Sequence, residues 1–250
     1  MQPAPRSSPL PALDGLAPAL PRLQCRKRPQ EEEAGGAPKR RYEQPQLVLD
    51  DRELQLELGR HWCKLLYGLD PTPFEQRGEA RVAGVLADHM GMATALTPAL
   101  RALVEQLDAR AEAAYREHTG ADARLKWKPA LRFTKAGEPY VSIKVEVVPP
   151  TTSQRAPTQF KVRRADGATA KGQGWPFLEP LLKRCGYFKQ GHCRVALQPQ
   201  YYAKDGTEAG LTLLATHVAL WARTEAPGSQ ALDIDALFPD AELLGDELEA

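Results

Sequence analysis

Between Tyr140 and Val148 the chain alternates without a break: Val141, Ile143, Val145 and Val147 fall on one side, and Tyr140, Ser142, Lys144 and Glu146 on the other. Side chains of a β-strand point to opposite faces with a period of two, so this run predicts a strand with one buried and one solvated face. Leu131 to Thr134 precedes it across a Lys135-Ala136-Gly137-Glu138-Pro139 turn, which predicts a hairpin and puts Arg132 beside Tyr140 and Lys144.

The same pattern recurs along the chain. Leu47, Leu49, Leu54, Leu56 and Leu58 alternate with polar residues around Asp50-Asp51, as in a strand pair or one bent strand that Trp62 to Tyr67 extends. Gln159 to Arg163 is a short strand, with Phe160 and Val162 inside and Lys161 and Arg163 outside. Cys193 to Tyr202 and Leu211 to Trp221 form a second hairpin around Lys204-Asp205-Gly206, and its second strand is apolar on both sides, as suits a strand covered on both faces.

Two segments read as helix. Thr97 as N-cap, Pro98 at the first helical position and Gly120 at the end bound a helix whose apolar face is Leu100, Leu103, Val104, Leu107, Ala111, Ala114 and Tyr115. A shorter one starts near Pro176, within Trp175 to Cys185. Pro71 to Gly91 predicts loops with a short helix, and Gly167 to Gly174 a flexible connection. The expected class is α+β, mainly β.

Charge is segregated, so the net +1 of the whole chain conceals its meaning. From Arg124 to Lys204 there are sixteen Lys or Arg against four Asp or Glu, while beyond Thr224 the chain is acidic with no Lys or Arg. In the basic stretch, cations interleave with rings. Lys126, Trp127, Lys128, Arg132, Lys135, Tyr140, Lys144, Lys161, Arg163, Arg164, Tyr187, Lys189, Tyr201 and Tyr202 are the candidate nucleic-acid-binding residues. Cations neutralise phosphates and aromatic faces stack on unpaired bases, the mixture that single-strand binding uses. Trp221, Phe133 and Phe160 read as core.

Catalysis finds no foothold in sequence motifs: there is no His-Glu-x-x-His, Walker A loop, Gly-x-Gly-x-x-Gly or Gly-x-Ser-x-Gly elbow, and an enzyme is not expected. No cofactor is expected. Cys185, His192 and Cys193 lack the paired spacing of a structural zinc site, and adjacent residues of a strand would point apart. The four cysteines make no disulfide framework and fit a reducing compartment, and no run approaches a membrane span.

Residues 1–46 are rich in Pro, Ala, Gln and charge, which predicts a disordered tail. Arg26, Lys27 and Arg28, then Lys39, Arg40 and Arg41 ten residues on, have the spacing of a bipartite nuclear localisation signal for an importin-type receptor; a solvated charge run or a DNA-touching arm gives the same pattern. A nuclear location is therefore expected. Residues 224–250 interleave Asp233, Asp235, Asp240 and Glu242 with Leu232, Ile234, Leu237 and Phe238, a tail able to compete for a basic groove, to dock on replication or repair proteins, or merely to solubilise.

A β-rich basic body, rings among the strands and an acidic, apolar-punctuated C-terminal tail resemble the layout of OB-fold single-stranded DNA-binding proteins, of the phage T7-type and large-DNA-virus replication class. The resemblance implies an OB-like antiparallel barrel over residues 47–223, with a helical insertion at about 71–120 that is long for a minimal barrel. It implies single-stranded DNA as the partner in replication, recombination or repair. The alternative is a nuclear regulator, viral or transcription-associated, whose basic surface meets RNA or an acidic protein.

Overall fold

The computed structural model describes residues 13–26, 45–50, 52–58, 63–66, 69, 81–82, 85–86, 89–121, 124–147, 157–163, 168–185, 188–189, 191–204 and 207–222. Their strands, in chain order, are β1 (Gln24–Arg26), β2 (Gln46–Leu49), β3 (Arg52–Glu53), β4 (Leu56–Glu57), β5 (Cys63–Lys64), β6 (Arg81–Val82), β7 (Val85–Leu86), β8 (His89–Ala95), β9 (Lys126–Lys128), β10 (Leu131–Phe133), β11 (Pro139–Glu146), β12 (Gln159–Arg163), β13 (Thr169–Gln173), β14 (His192–Lys204) and β15 (Glu208–Trp221). Two α-helices join them, α1 (Pro98–Thr119) and α2 (Gly174–Arg184).

Strand pairing closes a ring. β14 and β15 form a long antiparallel hairpin, β15 runs parallel to β11, and β11 pairs antiparallel with β8. The seam lies at Leu65. Its amide donates to the Gly191 carbonyl at 2.8 Å beside β14, while the Leu66 amide donates to the Ala93 carbonyl of β8 at 3.0 Å, and β5 itself pairs with β14. The ring thus has five strands, β4–β5, β8, β11, β14 and β15, with the third and fifth parallel. That is the OB barrel, a Greek-key solution that leaves its central strands no free edge.

The interior follows from the alternation. Val141, Ile143 and Val145 point in with Val195, Leu197, Leu213 and Val218, all buried. A bulge at Ala196/Leu197 adds one residue, Thr216, to β15 and lets the long hairpin bend around the barrel. β12 continues the line of β11 along β15, and Thr158 stitches the join: its hydroxyl donates to the Ala215 carbonyl at 2.9 Å and accepts from the Glu146 amide at 3.0 Å.

The helix inserted before β11 has the expected caps. Thr97 Oγ1 accepts from the Leu100 amide at 3.3 Å, and Gly120 takes φ 66°, the left-handed conformation that favours glycine. The helix is bolted to the barrel by two polar contacts. Tyr201 donates its hydroxyl to the Ala111 carbonyl at 2.9 Å, and the buried Asp108 carboxylate accepts from the Ala130 and Leu131 amides at 2.8 and 3.0 Å.

Four expectations change. Residues 13–26, assigned from composition to a disordered tail, pack into the core, with Leu13, Leu16, Leu20 and Leu23 buried and β1 paired to β2. Arg110 Nη2 donates to the Leu23 carbonyl at 2.8 Å and fixes the segment on α1. Clustered leucines that a sheet and helix can cover outweigh the prolines between them. His89–Ala95, wholly inside the helical insertion expected at about 71–120, is a barrel strand. Thr169–Gln173, read as a flexible connection, is β13, paired with β12. Of Pro71 to Gly91, expected as loops with a short helix, the described residues are strand: β6 paired with β7, and the start of β8.

The buried thiols are inert. Burial pushes Cys25 up to about 12 and Cys63 up to about 11, and raises Cys193 as well, which removes the reactive thiolate at neutral pH. Cys193 points into the barrel and pairs in register with Cys63, whereas His192 has the outward parity and pairs with Lys64, so the two adjacent residues do not converge on one site.

Candidate nucleic-acid interface

Residues directly opposed across a ladder share a face, so the register alone assembles the outer surface. On β10, β11 and β8 it places Arg132 beside Tyr140 and Ala95, Ser142 beside Ala93, and Lys144 beside Gly91. The β8 residues opposite Tyr140, Ser142 and Lys144 are small. They leave a shallow floor, bordered by Tyr140, Ser142 and Lys144 of β11.

The same face continues along β15. Lys144 stands beside Leu214, and six ladder steps on, about 20 Å at the strand rise with the bulged Thr216 left out, Arg163 stands beside Trp221. Tyr140 lies four residues from Lys144 in the other direction, about 13 Å. Next to Arg163, the register of β12 and β13 sets Lys161 opposite Lys171 and Gln159 opposite Gln173. Neither strand carries a carboxylate. The Arg163 guanidinium sits 4.6 Å from the centre of the Trp221 ring, which holds the cation in place through stacking.

At the far end the β14–β15 hairpin extends beyond the barrel, and β9 joins it. Lys126, Glu208 and Lys204 form one outward row, and Lys128, Gly210 and Tyr202 the next. A Cβ on Gly210 would collide with the Lys128 carbonyl and come within 2.8 Å of the Tyr202 ring, so only glycine admits this close approach. Burial raises the Tyr202 hydroxyl first, and Glu208 adds to it by charge and by a hydrogen bond, while Arg132 acts in the opposite sense. Glu208 also pairs with Lys128 at 3.6 Å.

Of the residues singled out from sequence, Arg132, Tyr140, Lys144, Lys161 and Arg163 share this face, and Lys126, Lys128 and Tyr202 occupy its hairpin end. Lys135 and Lys189 are exposed at loop positions. Tyr201 is a correction: it is 1% exposed, inside the core, with no ring face left for a base. Its ring packs 5.3 Å from Tyr115 and 6.2 Å from Trp127. Trp127 likewise turns inward, half-buried opposite Ala209, because it alternates with the outward Lys126 and Lys128. Arg164, Tyr187, Lys27, Arg28, Lys39, Arg40 and Arg41 lie outside the described residues.

Phe133 is the opposite correction. Expected in the core, it is 50% exposed, with the Arg101 guanidinium 5.2 Å from its ring centre. Lys171, a cation of the basic stretch whose flanking glycines suggested a flexible connection, lies on a strand; the alternation of Thr169, Lys171 and Gln173 with Ala170 and Gly172 is the signal for it.

The described helices offer no comparable surface. On α1, Arg101 pairs with Glu105 and Arg116 with Glu112 one turn away, and Arg110 is committed to the Leu23 carbonyl. Among the described residues no group of three or more His, Cys, Asp or Glu is placed to hold a metal ion, and no helix is long and apolar enough to cross a membrane.

A curved OB barrel with a cationic outer face defines the class of fold and site. No family model matches the chain, and no curated protein does. Among solved structures it is similar to gp2.5, a single-stranded DNA-binding protein encoded by bacteriophage T7, at 13% identity and TM-score 0.39, over 72% of this chain and 96% of that one. It is also similar to the single-stranded DNA-binding protein from bacteriophage Enc34, at 8% identity and TM-score 0.39, over 86% of this chain and 99% of that one.

Proposed function

We propose that the chain binds single-stranded DNA without sequence preference and serves replication, recombination or repair. The observation that carries this reading is the one continuous outward face on which Arg132, Tyr140, Lys144, Lys161, Arg163 and Lys171 lie. OB barrels bind oligonucleotides on the face of their second and third strands and on the loop between the fourth and fifth. Here those elements are β8, β11 and the β14–β15 hairpin.

Chemistry favours a single strand over a duplex. A duplex reader inserts a helix or ribbon into a groove, but the arginines of α1 are occupied by carboxylates or by backbone. A shallow floor of Gly91, Ala93 and Ala95 beside Tyr140 suits flat, unpaired bases, and the cations along its border suit their phosphates. The face is long enough for roughly six nucleotides, within the range of about 4–16 per OB fold.

Binding is the whole activity in this reading; no catalytic step is assigned. The acidic residues 224–250 compete for the cationic face or dock on other replication proteins, and removing the chain after Ala231 strengthens DNA binding. Lys27, Arg28, Lys39, Arg40 and Arg41 direct nuclear import.

The test is a competition gel shift with single-stranded DNA, duplex DNA and RNA of one length at physiological salt. Preference for single-stranded DNA supports the proposal. Equal affinity for duplex and single strand at every salt concentration sinks it, and preference for RNA moves the protein to the regulator class.

A further inference from the structure

We infer that Phe133, backed by Arg101, is a base-stacking residue that carries the bound strand past Tyr140 and around the edge of the sheet at β10. The inference rests on the single-strand reading above and adds a contact to it.

Phe133 is the large hydrophobic residue that the described surface leaves exposed, at 50%. It follows Arg132, which is paired in register with Tyr140, and it lies opposite Pro139 at the turn end of the hairpin. It shares the parity of the buried Leu131, so it projects to the α1 side, just beyond the reach of the core. Three cations surround the position: Arg101 against the ring, Arg132 before it and Lys135 after it, all exposed. Arg101 is held by Glu105 at 2.9 Å, so its guanidinium is fixed against the ring. A planar cation against an aromatic ring, with half of the residue open to solvent, leaves ring surface on which a base can stack.

Two observations favour a nucleobase over a peptide. A half-exposed phenylalanine presents roughly 100 Å² of apolar surface, well below the several hundred that mark a protein-docking patch. The β10 edge is also closed to strand addition at Ala130 and Leu131, whose amides already donate to Asp108 at 2.8 and 3.0 Å. A base needs neither a large patch nor a free edge. Continuity with the proposed cationic face through Arg132 supplies the phosphates on the approach.

The experiment uses the full chain with oligo-dT of graded length, some carrying 5-iodouracil for photo-crosslinking, and the variants Phe133→Ala, Phe133→Leu and Arg101→Gln. For oligonucleotides long enough to pass Tyr140, Phe133→Ala and Phe133→Leu should each lose roughly 5- to 150-fold in affinity, the equivalent of about 1–3 kcal/mol per stacked base. The salt slope should stay unchanged, since no phosphate contact is removed. Arg101→Gln should lose less, and the crosslinked wild-type peptide should contain Phe133. Wild-type affinity in Phe133→Ala at every length, without a crosslink at Phe133, overturns the inference and leaves the single-strand reading intact. So does full rescue by leucine, which would make the contact merely apolar. So too does loss in Phe133→Ala of binding to a peptide of residues 231–250 with DNA affinity unchanged. Failure of the wild type to bind oligo-dT at all overturns both.

Discussion

The Lys144 ammonium lies 3.3 Å from Oε1 of Glu146, two residues along the same strand and on the same outward face. Glu146 is 2% exposed and Lys144 25%. The carboxylate therefore orients the lysine while competing with any phosphate for it. Glu146→Gln should tighten oligo-dT binding about 1.5- to 5-fold at low salt, the fold equivalent of releasing a partly exposed ion pair. Fluorescence anisotropy at several salt concentrations checks this, and the gain should shrink as salt rises.

Arg163 stacks on Trp221 and lies in register on the face shared with Lys161 and Lys171. Removing it with Arg163→Gln should weaken binding and reduce the magnitude of the salt slope by about 0.7, one phosphate contact on a single strand. Arg163→Lys should recover the slope while recovering affinity only in part, because an ammonium lacks the planar face that lies on the indole.

Tyr201 and Tyr202 are adjacent yet belong to different systems. Tyr201→Phe removes a buried hydroxyl bonded to the Ala111 carbonyl and should cost about 1 kcal/mol of stability with DNA affinity unchanged. Tyr202→Ala should do the reverse, lowering affinity while the melting temperature holds. Paired thermal melts and binding isotherms read both.

How much of this was legible in sequence follows from the same pair. Period-two alternation places Tyr140, Lys144, Lys161 and Arg163 on the outside, and the structure puts them there. Adjacent tyrosines at a strand's end give no such parity signal until register fixes which of them faces Leu211, and here it is Tyr201. Phe133 has the parity of a core residue; what exposes it is its place beyond the barrel's end, a property of the closed ring. Residues 13–26 were hidden by composition, since prolines among leucines look like linker until a helix covers them. Helix α1 was readable to its caps because Thr97, Pro98 and Gly120 act locally.

Asp108 ties α1 to β10 by accepting two amides. Burial raises its carboxyl above the ordinary 3.8, with the Ala130 and Leu131 amides pulling the other way. A carboxyl raised by folding favours the fold when protonated, so its contribution is fully present below the unfolded value and is lost as pH climbs through the folded one. Asp108→Asn should therefore remove one acid-side increment, so that wild type gains on the variant as pH falls through that window. Asp108→Ala leaves two buried amides without their acceptor and should cost about 2–5 kcal/mol. Urea unfolding across the acid range measures both.

Direct evidence for the cationic face comes from the salt dependence of oligo-dT affinity in the full chain, compared with a variant carrying Lys161→Gln, Arg163→Gln and Lys171→Gln. Arg132, Lys144, Lys161, Arg163 and Lys171 each meeting one phosphate give a log–log slope of about −3.5, falling to about −1.4 in the variant. A slope near −3.5 in both proteins, with unchanged affinity, would contradict the placement of the strand on this face.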